Sequence, residues 1–216
     1  MNFTTAVFDV DGTLIDNSRG IFNCIRHALQ KLNLPDMTDE QLRPFIGPPL
    51  FVGAKEFLHL DDAHAELFVT YYRERFSVKG YAETELYDGV VPMLKTLKEN
   101  GIQLAIATGK PLQFIEKILP LFDLQDYFTC VYGITFTDHQ SDKVTFIRSS
   151  LQSCNATADQ ALMIGDRNND MQAAKQAGVF AAGVTYGFGT EEELLNAGAD
   201  KLFASPAQLT DFILEK

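Results

Sequence analysis

Cysteine is scarce in this chain of 216 residues. There are three, Cys24, Cys130 and Cys154, widely spaced, odd in number and in no C-x-x-C pattern. They read as reduced packing residues of a cytosolic protein rather than as a disulfide framework. Positive charge is also short: 18 Lys and Arg face 29 Asp and Glu, for a formal charge of -11. That balance argues against a nucleic-acid polymer and against an anionic membrane surface as partner. A small anionic ligand would need locally concentrated positive charge or a bound cation. Long apolar runs are missing, and none approaches the roughly 18 residues of a membrane span. The N-terminus has no basic segment, and Asp9 and Asp11 interrupt its apolar run, so no signal peptide is expected there. Repeats, heptads and low-complexity tracts are absent as well. A soluble, cytoplasmic chain is expected, with 46% hydrophobic residues to build one sizeable α/β domain or a domain carrying a smaller insertion.

What is present is a regular alternation. Short apolar runs bounded by turn residues, "IQLAIAT" (102–108), "FTCVYG" (128–133), "ALMIG" (161–165) and "VFAAGV" (179–184), predict strands buried on both faces. Helical patterns lie between them: 90–100 ending at Gly101, 111–119 opened by Pro111, "SDKVTFIRSSL", and "NDMQAAKQAG" closed by glycine. Strand and helix in turn predict a Rossmann-like α/β core, a parallel sheet flanked by helices. Residues 16–84 break the pattern. They hold amphipathic helical stretches, among them "SRGIFNCIRHALQKLNL" and "AHAELFVTYYRERF", and no convincing strand. The expected organisation is a core of 1–15 and 85–216 with a helical cap, 16–84, inserted after the first strand. Such an insertion lies where open α/β sheets bind ligands, and its linkers near Asp16 and Glu85 are candidate hinges.

Strand ends carry the chemistry. Asp9 and Asp11 follow the first strand in "FDVDGT", Thr108-Gly109-Lys110 follows "IQLAIA", Lys143 follows "FTCVYG" and its loop, and Gly165-Asp166 with Asp170 follows "ALMI". Each alone could be a turn or a cap. Together they place carboxylates, lysine and a hydroxyl along one sheet edge, which suits a phosphoryl group and a metal ion. A hard, oxygen-only pair such as Asp9 and Asp166 favours Mg²⁺. Asp9 can attack phosphorus and form an aspartyl-phosphate. Asp11, two residues on and on the same side of an extended segment, can protonate the leaving oxygen and later deprotonate water. Lys143, the Thr108 hydroxyl and nearby backbone N–H groups would stabilise phosphoryl charge, and Gly12 allows a sharp turn.

With these motifs, "DVDGT" (9–13), "ATGK" (107–110), Lys143 and "GDRNND" (165–170), the chain resembles the haloacid dehalogenase superfamily, and within it the Mg²⁺-dependent phosphatases capped after the first strand. The resemblance implies that Asp9 is nucleophile and metal ligand, and that Asp11 is the acid/base whose carbonyl also meets the metal. It further implies that Thr108, with Gly109, holds phosphate, that Lys143 bridges phosphate and nucleophile, that Asp166 binds Mg²⁺, and that Asp170 is an outer ligand. Two departures are visible. Val144 follows the lysine where many relatives have proline, with Arg148 as the alternative cation. Asp11, which dehalogenases do not need, is present and favours phosphoryl chemistry.

The substrate is expected to be a small phosphorylated metabolite. "RPFIGPPL" (43–50) reads either as a helix connection or as a specificity loop, with Arg43 offering charge to a substrate anion and Phe45 and Ile46 offering apolar contact. "DKVTFI" and "YGFGTEEELLNAGAD" (186–200) resemble the phosphoglycolate phosphatase and 5'-nucleotidase-like branch. His27, His59, His64 and His139 form no ligand or triad pattern and read as surface or packing residues. A phosphomutase of the same architecture, or a receiver-like phospho-accepting module, are the competing functions. The order of parts and the long insertion speak against the receiver, and oligomeric state is left open.

Overall fold

The computed structural model describes residues 2–135 and 142–215. Two compact units emerge, Met1–Asp16 with Leu86–Lys216, and Asn17–Glu85.

The first unit holds a six-stranded parallel sheet. Its strands are β1 (Thr5–Phe8), β4 (Gln103–Pro111), β5 (Cys130–Ile134), β6 (Ala161–Gly165), β7 (Phe180–Val184) and β8 (Lys201–Phe203), in spatial order β5-β4-β1-β6-β7-β8. Two short strands, β2 (Ile15–Asp16) and β3 (Glu85–Leu86), form a separate two-stranded sheet. β1 is central and covered on both faces: Thr5, Ala6, Val7 and Phe8 are all fully buried. Side chains alternate across it. Val7, Ala105, Ala107 and Met163 join the core under α7 (Lys143–Ser153) and α8 (Asn168–Ala177), through Phe146, Ile147, Met171 and Ala174. The alternate positions Phe8, Leu104, Ile106 and Ile164 are buried on the opposite face, and α5 (Val90–Glu99) packs on β4 and on α10 (Pro206–Leu214). Each fully buried side chain of this size contributes roughly 1.5–3 kcal/mol.

Two strands differ from expectation. "FTCVYG" forms a strand only from Cys130, and it lies at the sheet edge with Cys130, Val131 and Tyr132 half-buried, so it is not covered on both faces. β8, three residues long at the other edge, is too short to show a period in the sequence. The helices stop where their caps dictate. Asp142 accepts the Thr145 N–H at 2.8 Å at the start of α7, and Gly178 closes α8 at φ 78°, a conformation that other residues adopt at a cost.

The second unit is helical: α1 (Ser18–Lys31), α2 (Asp39–Leu42), α3 (Leu50–Leu58) and α4 (Asp62–Phe76). α1 buries Phe22, Cys24, Ile25, Ala28 and Leu29 and packs against α4, which buries Ala65, Phe68, Tyr72 and Phe76. In "RPFIGPPL" the first three residues make a 3₁₀ turn and the last begins α3. Phe45 corrects an expectation. It is 3% exposed, with its ring centroid 5.1 Å from Phe57 and 6.1 Å from Phe68, so it belongs to the core of this unit and offers no contact to a substrate. Arg43 is exposed on the same turn, and Ile46 is half-buried. His59 ends α3, His64 pairs with Asp61 on the surface, and His27 lies 3.8 Å from Glu74. His139 lies outside the described residues.

Candidate active site

Strand register assembles the site within the first unit. Phe8 is level with Ile106 on one side and Ile164 on the other, so the chain leaves β1 at Asp9 beside Ala107 and Gly165. The Asp9 N–H still donates to the Ile164 carbonyl at 2.9 Å, which holds the residue at the carboxyl edge of the sheet. Asp166 leaves β6 at the same edge, and α8 brings Asp170 back across it. Oxygens of Asp9, Asp166 and Asp170 lie within 4.8 Å of one another, and all three residues are buried.

Among the described residues, one ammonium faces this cluster. Lys143 Nζ, at the first residue of α7, is 3.1 Å from Asp9 Oδ1 and also bonds to Asp170 Oδ1. Burial alone would pull the lysine pKa down, but the carboxylates of Asp170 and Asp9 outweigh it and hold it above its ordinary value. Arg148 is turned away, donating to the Gln176 carbonyl at 2.9 Å, whereas Lys143 meets the carboxylates directly. Asp170 Oδ2 accepts the Arg167 N–H at 3.0 Å, which ties the carboxylate to the turn that opens α8.

Asp166 is the least compensated acid. Its Oδ2 accepts the Phe188 N–H at 2.8 Å, while Oδ1 is buried without a hydrogen-bond partner among the described residues. Burial, then the charges of Asp9 and Asp170, push its pKa up to about 8; burial likewise raises Asp170 to about 6 against the opposing pull of Lys143. Three buried carboxylates with one facing lysine and an unpartnered oxygen are poorly stable by themselves. They suit a hard divalent cation, whose oxygen-ligand preference the donor set meets.

The loop after β7 explains why Asp166 stays in place. A Cβ at Gly187 would lie 2.5 Å from the Asp166 Cβ, and one at Gly189 would lie 2.0 Å from its carbonyl oxygen. A Cβ at Gly12, where φ is +80°, would fall 2.0 Å from Asp166 Oδ2. The backbone at "YGFGT" is thus pressed onto the aspartate, a function the sequence pattern did not disclose. Arg167 and Glu193 brace the same turn, with Nε and Oε1 2.8 Å apart, and Glu193 also accepts the Asn168 N–H at 2.9 Å.

The remaining expected residues stand close by. Thr108 is 1% exposed within β4, where its pairing with β5 becomes irregular after Ala107, and its Oγ1 accepts the Lys110 N–H at 3.2 Å, leaving its own proton available to donate. Gly109 is exposed, with open space where a Cβ would be. The Asp11 side chain does not join the three converging carboxylates. It is held by Lys110, whose Nζ lies 2.7 and 2.9 Å from its two oxygens. The motif "ATGK" was visible in the sequence, but nothing in it assigned its lysine to an aspartate 99 residues away. Arg43 belongs to the helical unit.

Comparison with known proteins was consistent with this geometry. A family model described as haloacid dehalogenase-like hydrolase matches residues 6–184. A 5'-nucleotidase of Pseudomonas aeruginosa is 37% identical over 194 residues, which cover 90% of this chain and 88% of that protein. The pyrophosphatase PpaX of Listeria innocua is 32% identical over 216 residues, covering 99% of this chain and 97% of its own. Among solved structures, one described as a predicted phosphatase from Clostridium acetobutylicum superposes with a TM-score of 0.87 at 38% identity, over 100% of both chains.

Proposed function

The chain belongs to the haloacid dehalogenase-like hydrolase family, and from that membership we propose that it is a phosphomonoester hydrolase acting on a small phosphorylated metabolite through an aspartyl-phosphate on Asp9. The observation that carries this reading is the buried convergence of Asp9, Asp166 and Asp170 at the carboxyl edge of the sheet, with Lys143 against Asp9 and Asp170.

In the proposed reaction an Asp9 carboxylate oxygen attacks phosphorus and the ester P–O bond breaks. Asp11 gives a proton to the departing oxygen, then takes one from the water that hydrolyses the aspartyl-phosphate. Lys143 holds Asp9 in line and offsets charge on the phosphoryl oxygens, to which the Thr108 hydroxyl and the Gly109 N–H also donate. Asp9 and Asp166, with Asp170 further out, would hold Mg²⁺, which when bound neutralises the approach of a carboxylate to a phosphate dianion. Arg43, exposed on the helical unit, stays in the proposal as a contact for a substrate anion.

A panel of nucleoside monophosphates, phosphoglycolate, sugar phosphates and pyrophosphate, assayed with Mg²⁺ and with chelator, tests the function. Metal-dependent phosphate release from at least one monoester is expected. Release that is indifferent to chelator would remove the metal role, and isomerised product without release would mean a mutase.

The metal-free protein offers a separate test. Asp166 and Asp170 titrate higher in the folded chain, at about 8 and about 6, than the roughly 4 of an unfolded carboxylate. Between these limits the folded state keeps protons that the unfolded state has lost, so the contribution of these two acids is full below pH 4 and declines as pH rises toward 8. The expected result is a Tm in chelator that falls from pH 5 to pH 8, and a stabilisation by Mg²⁺ that grows over the same range because the cation binds the deprotonated acids. Asp166→Asn should flatten both trends. An unchanged slope in that variant would show that other groups set it.

A further inference from the structure

We infer that Lys110 is a positioning residue for proton transfer, holding the Asp11 carboxylate at the edge of the site. The inference rests on the reading of Asp11 as the acid and base of the reaction. It adds to that reading a residue whose role is set by placement.

Lys110 is fixed at three points. Its N–H donates to Thr108 Oγ1 at 3.2 Å, and its carbonyl oxygen stands 2.7 Å from where a Cβ on Gly133 would be, so only glycine there lets β5 approach so closely. Its Nζ grips both oxygens of Asp11. Pro111 follows directly and limits the backbone. The lysine side chain is 5% exposed and that of Asp11 34%, so Asp11 is the more open member of the pair.

Energetics argue against an incidental pair. Exposed ion pairs contribute little, but burying an ammonium costs several kcal/mol of desolvation that is offset only when the pairing geometry is good. Here two oxygens are engaged by a clamped lysine, and the partner is a residue on the turn beside Gly12, φ +80°. A carboxylate that must reach first an ester oxygen and then a water needs a defined starting position, because misplacement by about 1 Å can cost about 10²-fold. Lys110 provides that position from a different strand, so the carboxylate is not left to the rotamers of its own turn.

This role affects one chemical event more than the rest. When Asp9 attacks an alkyl phosphate, the electron pair of the breaking P–O bond stays on an alkoxide oxygen that takes the Asp11 proton. With p-nitrophenyl phosphate the leaving phenolate is stable without that proton. The experiment compares kcat/KM for two esters, p-nitrophenyl phosphate and whichever of ribose 5-phosphate and glycerol phosphate the native enzyme turns over faster, in native protein and in Lys110→Met. The alkyl ester is expected to lose about 10- to 100-fold in the variant, while the aryl ester stays within about threefold. Lys110→Gln replaces the Met variant if that protein does not fold, and Lys110→Arg, which keeps the charge, should regain most of the loss. In an Asp11→Asn background, Lys110→Met should add no further selective loss.

Equal loss on both esters, or no loss on either, overturns the assignment while leaving the hydrolase reading standing. A native protein that releases phosphate from none of the esters overturns the hydrolase reading itself, and the assignment with it.

Discussion

Asp9→Asn is expected to stop phosphate release from every ester while the protein stays folded. The amide is nearly isosteric with the carboxylate, keeps the backbone bond to Ile164, and removes one of three crowded negative charges, so stability should hold or rise. An amide is no nucleophile toward phosphorus, and losing a covalent route of this kind removes most of the acceleration, about 10⁴-fold or more in kcat. Single-turnover assays with ³²P-labelled substrate provide the check. Native protein quenched in acid should carry label stable at low pH and released by hydroxylamine, and the variant should carry none. Label in the variant, or turnover within tenfold of native, would place the nucleophile elsewhere.

Removing the facing cation should affect stability and turnover together. In Lys143→Met, Asp9 and Asp170 lose the ammonium that lies between them, and neither has another cation as close among the described residues. Breaking a buried pair from one side costs about 3–5 kcal/mol, because the stranded charge stays in the interior. Part of that cost disappears when a carboxylate takes up a proton. The variant should therefore be destabilised most above pH 7 and less at pH 5.5, with Mg²⁺ restoring part of the loss. Turnover should fall by at least about 10²-fold, since the charge that offsets the phosphoryl oxygens is gone. Arginine is not an equivalent replacement in a site shaped for a compact ammonium, and little rescue is expected from Lys143→Arg. Urea midpoints at the two pH values, with and without Mg²⁺, measure the first effect. A variant as stable as native at both pH values would show that Lys143 is not the charge that compensates the cluster.

Much of the site was legible because strand ends in a parallel sheet fall along one edge. "ALMIG" is β6 residue for residue, and once "TAVF" and "QLAIA" are read as neighbouring strands, Asp9, Thr108 and Asp166 must come out together. Other features left no periodic trace. Lys110 meets Asp11 across 99 residues through a side chain whose direction depends on the end of β4 and on Gly133. Phe45, in a stretch rich in proline and glycine, has the appearance of an exposed loop residue, and its burial follows from where Phe57 and Phe68 stand. β5 is apolar enough for a central strand, yet it is an edge.

By itself, then, the amino-acid sequence determined the alternation of strands and helices, the helical insertion after β1, and the acids, lysine and hydroxyl that close successive strands. Those are local consequences of side-chain period, caps and turn residues. Tertiary structure alone decided which strands are central, which lysine faces which carboxylate, and that the glycines after β7 press on Asp166. These depend on contacts between segments far apart in the chain, where the partner across a gap of a few ångströms, and not the residue's own neighbours in sequence, sets burial, charge balance and reach.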